Sequence, residues 1–243
     1  MWKARRSSAA PNLPGGLRIY AVGDIHGRAD LLKSLFGRID ADLAAHPAVQ
    51  SQQVFLGDYV DRGPDSAAVL DMLIERGQAH EVICLKGNHE ILLAEFLENP
   101  SVLTAWAQYG ALPTLASYGL SPAFHSTPKE QRELSASLRK AMPESHALFL
   151  SRLKPSFTAG DYFFVHAGVR PGIPLGRQQE DDLLWIRDDF LLCEEPFEKI
   201  IVHGHTPVRE PEVRPNRINI DTGAYATGRL TCLRLEGGKI EFL

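Results

Sequence analysis

The residues LRIYAVGDIHGR, from Leu17 to Arg28, decide how the rest of this chain is read. Leu17 to Val22 is a short apolar run with glycine on either side, as a buried strand would be. Directly after it come Gly23, Asp24, Ile25, His26 and Gly27, chemically capable side chains set between residues that permit a tight turn. The same succession recurs four times. Gln53 to Leu56 runs into Gly57-Asp58-Tyr59-Val60-Asp61-Arg62-Gly63, and Val82 to Leu85 is followed by Gly87-Asn88-His89-Glu90. Tyr162 to Val165 leads to His166-Ala167-Gly168, and Ile200 to Val202 to His203-Gly204-His205-Thr206.

Between the first three runs two helices are expected. Leu31, Leu35, Ile39 and Leu43 recur every fourth residue. Asp65 is placed to cap a second helix carrying Val69, Leu70, Leu73 and Ile74, with Gly77 as its stop. Strand, helix, strand, helix, strand predicts right-handed crossovers and a largely parallel sheet. Further on, Ile218 to Ile220, Leu230 to Leu235 and Lys239 to Leu243 read as short antiparallel strands, the last two joined by Glu236-Gly237-Gly238. The stretch 95–156, broken by Pro100, Pro113, Pro122, Pro128 and Pro143, reads as a helical insertion beside the site. The expected fold is an α/β sandwich, two mixed sheets flanked by helices. It forms one domain over 17–243, and residues 1–16 are a flexible leader.

Bulk composition narrows the function. The chain has 243 residues, 44% of them hydrophobic, enough for one well-buried core. A formal net charge of -4 argues against a general nucleic-acid binder, which would show a basic face to phosphates. It leaves room for a small phosphorylated substrate, because bound metal ions supply local positive charge. Cys84, Cys193 and Cys232 are far apart, and no CxxC pair exists, so neither a disulfide framework nor a thiolate zinc site is indicated. A reducing cytoplasm is the expected setting. Nothing resembles a signal peptide or approaches a membrane-spanning length.

Ligands of open α/β sheets bind beyond the carboxyl ends of the strands, so five such ends would gather these turns around one point. Taken singly, each turn has an ordinary explanation. Asp24 and His26 can form a turn, Asp58 and Asp61 can cap a helix, and a lone His166 is more often a core histidine. Of His203 and His205, one reads as a ligand and the other as bland. In conjunction, after five strands, they point to a single site. Carboxylates, imidazoles and one amide, with no thiolate, suit two divalent ions such as manganese, iron or zinc. Asp24 and His26 can grip one ion, His166 and His205 with Asn88 a second, and Asp58 can bridge both.

The ordered set GDIHGR, GDYVDRGPDS, KGNHE, VHAG and GHT, spanning Asp24 to Thr206, resembles the phosphoprotein phosphatase family of metallophosphoesterases. Within it the bacterial and phage branch that includes lambda phosphatase is the most similar. The resemblance implies the calcineurin-like sandwich and a reaction in which hydroxide held between two metal ions attacks a phosphate monoester. Asp24, His26 and Asp58 would hold the first metal, and Asp58, Asn88, His166 and His205 the second, with manganese the first choice. His89 would be the general acid, Asp61 would orient its ring, and Arg62 would bind phosphoryl oxygens beside Asn88. Arg187, in Leu184-Trp185-Ile186-Arg187, is the match for the family's second phosphate-binding arginine.

The activity implied is a serine/threonine protein phosphatase that also admits phosphotyrosine. The alternative is a nucleotide phosphohydrolase similar to symmetrical diadenosine tetraphosphate hydrolases. In those the position of Asp61 is typically not acidic, so Asp61 favours the phosphatase. The eukaryotic branch has an Asp-Pro segment where this chain has Ile186-Arg187-Asp188-Asp189, and its regulatory-subunit surface is not recognisable here. The expected partner is therefore a phosphorylated protein or small phosphoester, with no nucleic acid, membrane or regulatory subunit. Asp161 and Asp221 read as turn or capping residues.

Overall fold

In the computed structural model, which describes residues 11–121 and 126–243, alternate residues of the first strand serve two different cores. Strand β1 (Leu17–Val22) points Ile19 and Ala21 to one face, and Tyr20 and Val22 to the other, as the period-2 geometry of a strand requires. Both faces are covered, which is why the run is apolar apart from Arg18, whose guanidinium pairs with Glu236.

The elements follow in the order α1 (Ala29–Ala45), β2 (Gln50–Phe55), α2 (Ser66–Ala79), β3 (Val82–Cys84) and α3 (Asn88–Glu98). Short helices α4 (Leu103–Trp106), α5 (Ala111–Ser117), α6 (Pro128–Ala141) and α7 (Glu144–Ser151) then fill the stretch expected to be helical. The second half contains β4 (Ser156–Ala159), β5 (Tyr162–Val165), α8 (Glu180–Trp185), α9 (Asp188–Leu191), β6 (Ile200–His203), β7 (Glu212–Val213) and β8 (Arg217–Asn219). It ends with α10 (Ala224–Thr227), β9 (Cys232–Glu236) and β10 (Lys239–Phe242).

Two five-stranded sheets result, ordered β10-β9-β1-β2-β3 and β4-β5-β6-β8-β7. Each is parallel at its centre and antiparallel at one or both edges, so both are mixed, as expected. Ile19, Ala21, Val54 and Leu56 of the first sheet pack against Tyr162, Phe164, Val202 and Ile218 of the second. Outside this shared layer, α1 to α3 cover the first sheet through Leu32, Leu35, Val69 and Phe96, and α8 and α9 cover the second through Leu183 and Phe190.

Several boundaries differ from expectation. Strand β2 starts at Gln50 rather than Gln53, because its polar first residues pair in register with Leu17 to Ile19 of β1. β8 runs antiparallel to β7 but parallel to β6, whereas only antiparallel pairing was expected of it. Gly77 does not stop α2. Arg76, just before it, reaches Gln53 and Asp40, and these ties outweigh the roughly 1 kcal/mol that glycine costs inside a helix. Asp65 occupies the cap position of α2 without a side-chain capping bond.

Of the expected leader, residues 1–10 lie outside the described residues. Residues 11–16 belong to the fold. Leu13 is 2% exposed in the inter-sheet core, and its N–H donates to Gly237 O at 3.1 Å. Leu13→Ala is accordingly expected to lower unfolding free energy by about 2–5 kcal/mol, read from a urea melt. A change within error would place this segment outside the cooperative unit. Among the described residues, no helix is long and apolar enough to cross a membrane.

Candidate active site

All five polar turns stand at the carboxyl ends of β1, β2, β3, β5 and β6, and they are stitched together by their backbones. Ile25 and His26 N–H both donate to Asp58 O (3.1 and 2.8 Å), and Gly204 N–H donates to His166 O (2.8 Å). The approach is close enough to demand glycine. A Cβ on Gly204 would lie 2.1 Å from Asp24 Oδ1, and one on Gly87 would lie 2.2 Å from Asp58 Oδ1. Among the described residues, five non-glycine residues have positive φ, namely His26, Asp58, Asp61, Arg62 and His205. All five are expected site residues. Left-handed backbone is unfavourable for such side chains and persists where the surrounding structure over-determines it.

The missing fastener is Glu90. Its buried carboxylate accepts the N–H groups of Asp58 (2.9 Å), Tyr59 (2.7 Å), Val60 (3.3 Å) and Gly87 (2.9 Å). It thereby ties the turn after β2 to the one after β3. Burial first, and then the neighbouring Asp58, raise its pKa to about 8. The GNHE motif contained Glu90, but nothing local in the sequence marked this role.

Among the described residues, two sets of ligand-capable atoms form, each within 4.8 Å: His26, Asp58 and His89, and Asp58, His166 and His205. Asp58 is common to both, with its carboxylate 3.4 Å from His26 Nε2 and 3.4 Å from His166 Nε2. Asn88 Oδ1 lies 2.9 Å from His166 Nε2 and 2.9 Å from His205 Nδ1. His26 and His166 each turn Nδ1 to a backbone carbonyl, Val60 O and Leu56 O, which orients Nε2 toward the cluster. Asp24 stands beside them, and its Oδ2 accepts the N–H of His205 at 3.0 Å.

The electrostatics suit cations. Burial depresses the pKa of His26 to about 3, that of His205 to about 2, and that of His166 in the same direction, so their ring nitrogens are neutral lone-pair donors. Burial, Asp221 and Asp58 push the Asp24 carboxyl well up. Among the described residues, the buried Asp24 Oδ1 has no hydrogen-bond partner. Such an orphaned acceptor, with carboxylates, imidazoles and an amide oxygen, fits a pair of divalent ions.

Beside this cluster His89 Nδ1 lies 2.7 Å from Asp61 Oδ2, and Arg62 Nη2 donates toward His89 Nε2 at 3.2 Å. Burial opposes the imidazolium of His89, but Asp58 and Asp61 outweigh it and raise its pKa. Asp61 is 0% exposed and held by residues absent from any motif. Trp106 Nε1 donates to its Oδ2 (2.6 Å) and Thr114 Oγ1 to its Oδ1 (2.6 Å). The helical stretch after α3 is thus the wall that fixes Asp61, besides carrying Tyr109 at the rim. Trp106→Phe removes one donor from a buried carboxylate. It is expected to lower stability by about 1–3 kcal/mol in thermal melts, and loss of less than a few tenths would count against the bond.

Arg187 is exposed, yet its charge reaches His166 and His205 and adds slightly to the lowering that burial imposes on both. His203 is the bland member of its pair, packed edge-on against Phe190. Asp221 Oδ1 accepts Gly223 N–H, the expected turn role, and Asp161 accepts Asn12 N–H. The mouth is edged by aromatic rings. Tyr225 lies over Arg62 and against His26, Tyr109 against His89, and Trp185 against both Tyr109 and His205.

The family model for calcineurin-like phosphoesterases matches residues 17–236, which include every one of these turns. The chain belongs to the calcineurin-like phosphoesterase family. Among curated proteins, this phosphoesterase is 30% identical over 233 residues to a bis(5'-nucleosyl)-tetraphosphatase PrpE (asymmetrical) of Bacillus cereus, with 88% of each chain covered. A protein of the same name from Anoxybacillus flavithermus is 29% identical over 232 residues, again with 88% of each covered. Among solved structures, a protein assigned as a diadenosine tetraphosphatase superposes with a TM-score of 0.65 at 23% identity, covering 96% of this chain and 95% of that one. A cold-active protein-tyrosine phosphatase of a psychrophilic Shewanella gives 0.61 at 14% identity, covering 95% and 80%. At such identities both likenesses speak to the fold of the phosphoesterase.

Proposed function

We propose that this phosphoesterase hydrolyses bis(5'-nucleosyl) tetraphosphates using two divalent metal ions, with manganese the first choice. The observation that carries the chemistry is Asp58, one carboxylate facing the imidazoles of both ligand sets. The substrate is supported by the curated relatives, whose printed name is that of an asymmetrical tetraphosphatase. This moves the reading from the protein phosphatase expected at first to the nucleotide alternative, and from symmetrical to asymmetrical cleavage.

Asp24, His26 and Asp58 would hold one ion, and Asp58, Asn88, His166 and His205 the other. The pair would supply Lewis acidity for phosphoryl oxygens and lower the pKa of coordinated water. Arg62 and Arg187 would grip the phosphoryl group under attack, neutralising charge as it develops. A phosphoryl oxygen that draws Arg62 aside also frees Nε2 of His89 to carry a proton to the leaving oxygen. Asp61 keeps the ring aligned through Nδ1. Water adds to the phosphorus nearest one nucleoside, the P–O bond to the chain breaks, and a monophosphate and a triphosphate leave.

A second reading, hydrolysis of phosphoproteins, is favoured by the His89–Asp61 pair itself, because an alkoxide leaving group needs a proton more than a polyphosphate does. One screen separates the two. Purified protein with manganese, or with chelator, is given diadenosine tetraphosphate, p-nitrophenyl phosphate, and phosphoserine, phosphothreonine and phosphotyrosine peptides. Chelator-sensitive release of ATP and AMP, faster than from any peptide, is the expected result. ADP as the sole product would mean symmetrical cleavage. Preference for the peptides would restore the phosphatase.

A further inference from the structure

Tyr225 is a large aromatic left 39% exposed at the mouth of the site, on a segment held rigidly in place. Its short helix α10 follows Gly223, which has φ 64° and whose N–H is fixed by Asp221 Oδ1 at 2.8 Å. Arg28 Nη1 donates to Ala224 O (3.0 Å), and Thr227 Oγ1 bonds the carbonyls of Thr222 (2.8 Å) and Gly223 (3.1 Å). Among the described residues, the ring's aromatic and cation–π contacts are with site residues: the Arg62 guanidinium 4.7 Å from its centroid and the edge-on ring of His26 at 5.4 Å. A core role would bury the ring, and a role in chain reversal would not need one. What the fold has built is an aromatic plane, on a backbone tied down by these bonds, beside the arginine assigned to the phosphoryl group.

We propose that Tyr225 is the platform on which a nucleobase of the substrate stacks. The inference rests on the nucleotide reading above and adds the residue that would select a nucleotide over a base-free phosphate. An aromatic face suits the task because stacking accepts any base while fixing its distance from the phosphate. It also explains how a site whose polar groups all address phosphate and metal could prefer one phosphoester class. The cation–π contact sets the ring beside Arg62, so a base stacked on it would lie next to the phosphoryl group.

The test is binding, measured by calorimetry on the manganese-loaded protein. The probes are AMP and ribose 5-phosphate, each as its non-hydrolysable methylenephosphonate. Wild type is expected to bind the adenosine compound on the order of tenfold more tightly than the base-free one. Tyr225→Phe should keep that ratio, and Tyr225→Ala should bring it close to one while leaving ribose phosphonate affinity unchanged. Three results would overturn the inference: equal affinities in wild type, a ratio that survives Tyr225→Ala, or equal weakening of both compounds. The last would mean that Tyr225 acts only through Arg62. Turnover of the dinucleotide by wild type judges the nucleotide reading separately. Base preference without turnover would fell the tetraphosphate substrate alone, and turnover with a base preference independent of Tyr225 would fell the platform alone.

Discussion

Asp58→Asn is expected to strip the protein of metal and to lower kcat by on the order of a thousandfold, about 4 kcal/mol of barrier. The substitution is nearly isosteric. The oxygen that accepts the His89 N–H at 3.2 Å is retained, so what disappears is chiefly the charge shared by the two ligand sets. Without it, Asp24 is the one carboxylate left among the assigned ligands, and neutral imidazoles and amide oxygens must hold the rest of two dications in a buried site, where uncompensated charge is severely penalised. Metal analysis of the purified variant, with circular dichroism to verify folding, checks the result. Two equivalents of metal and an unchanged rate would sink the bridging role.

The second large effect concerns His89→Asn. Loss of a general acid typically slows a reaction by about 10²- to 10⁴-fold when the leaving group is poor. A phosphoserine peptide, which expels an alkoxide, should show a drop in that range if it is a substrate. Diadenosine tetraphosphate and p-nitrophenyl phosphate, whose leaving oxygens need little help, should fall much less. The structure adds a sharper arm, because His89 also stands within reach of His26 and Asp58 as a ligand-capable group. A variant that keeps both metals supports the acid. One that loses a metal, and slows equally on every substrate, makes His89 a ligand instead.

The turns and strands could be read in advance for a local reason. An apolar run followed by glycine and an acid or histidine places both partners within a few residues, as in Leu17–Val22 with Asp24 and His26. Strand ends were less certain where polar residues such as Gln50 and Gln53 pair through their backbones, since pairing leaves no side-chain signature. Gly77 misled for the opposite reason, because a local helix stop was overridden by Arg76 reaching Asp40 and Gln53.

By itself the sequence determined the chemistry of this protein: which carboxylates, imidazoles and arginines exist, which strand ends carry them, and that their donor set suits two cations. Only the tertiary structure decided how they are held and what surrounds them. Trp106 meets Asp61 across 45 positions, Thr114 across 53, and Glu90 gathers amides about 30 residues upstream. Tyr225 comes to Arg62 from the far end of the chain. Contacts over such separations are set by how sheets and helices pack, and packing depends on shape summed over the whole core, which no short run of residues encodes.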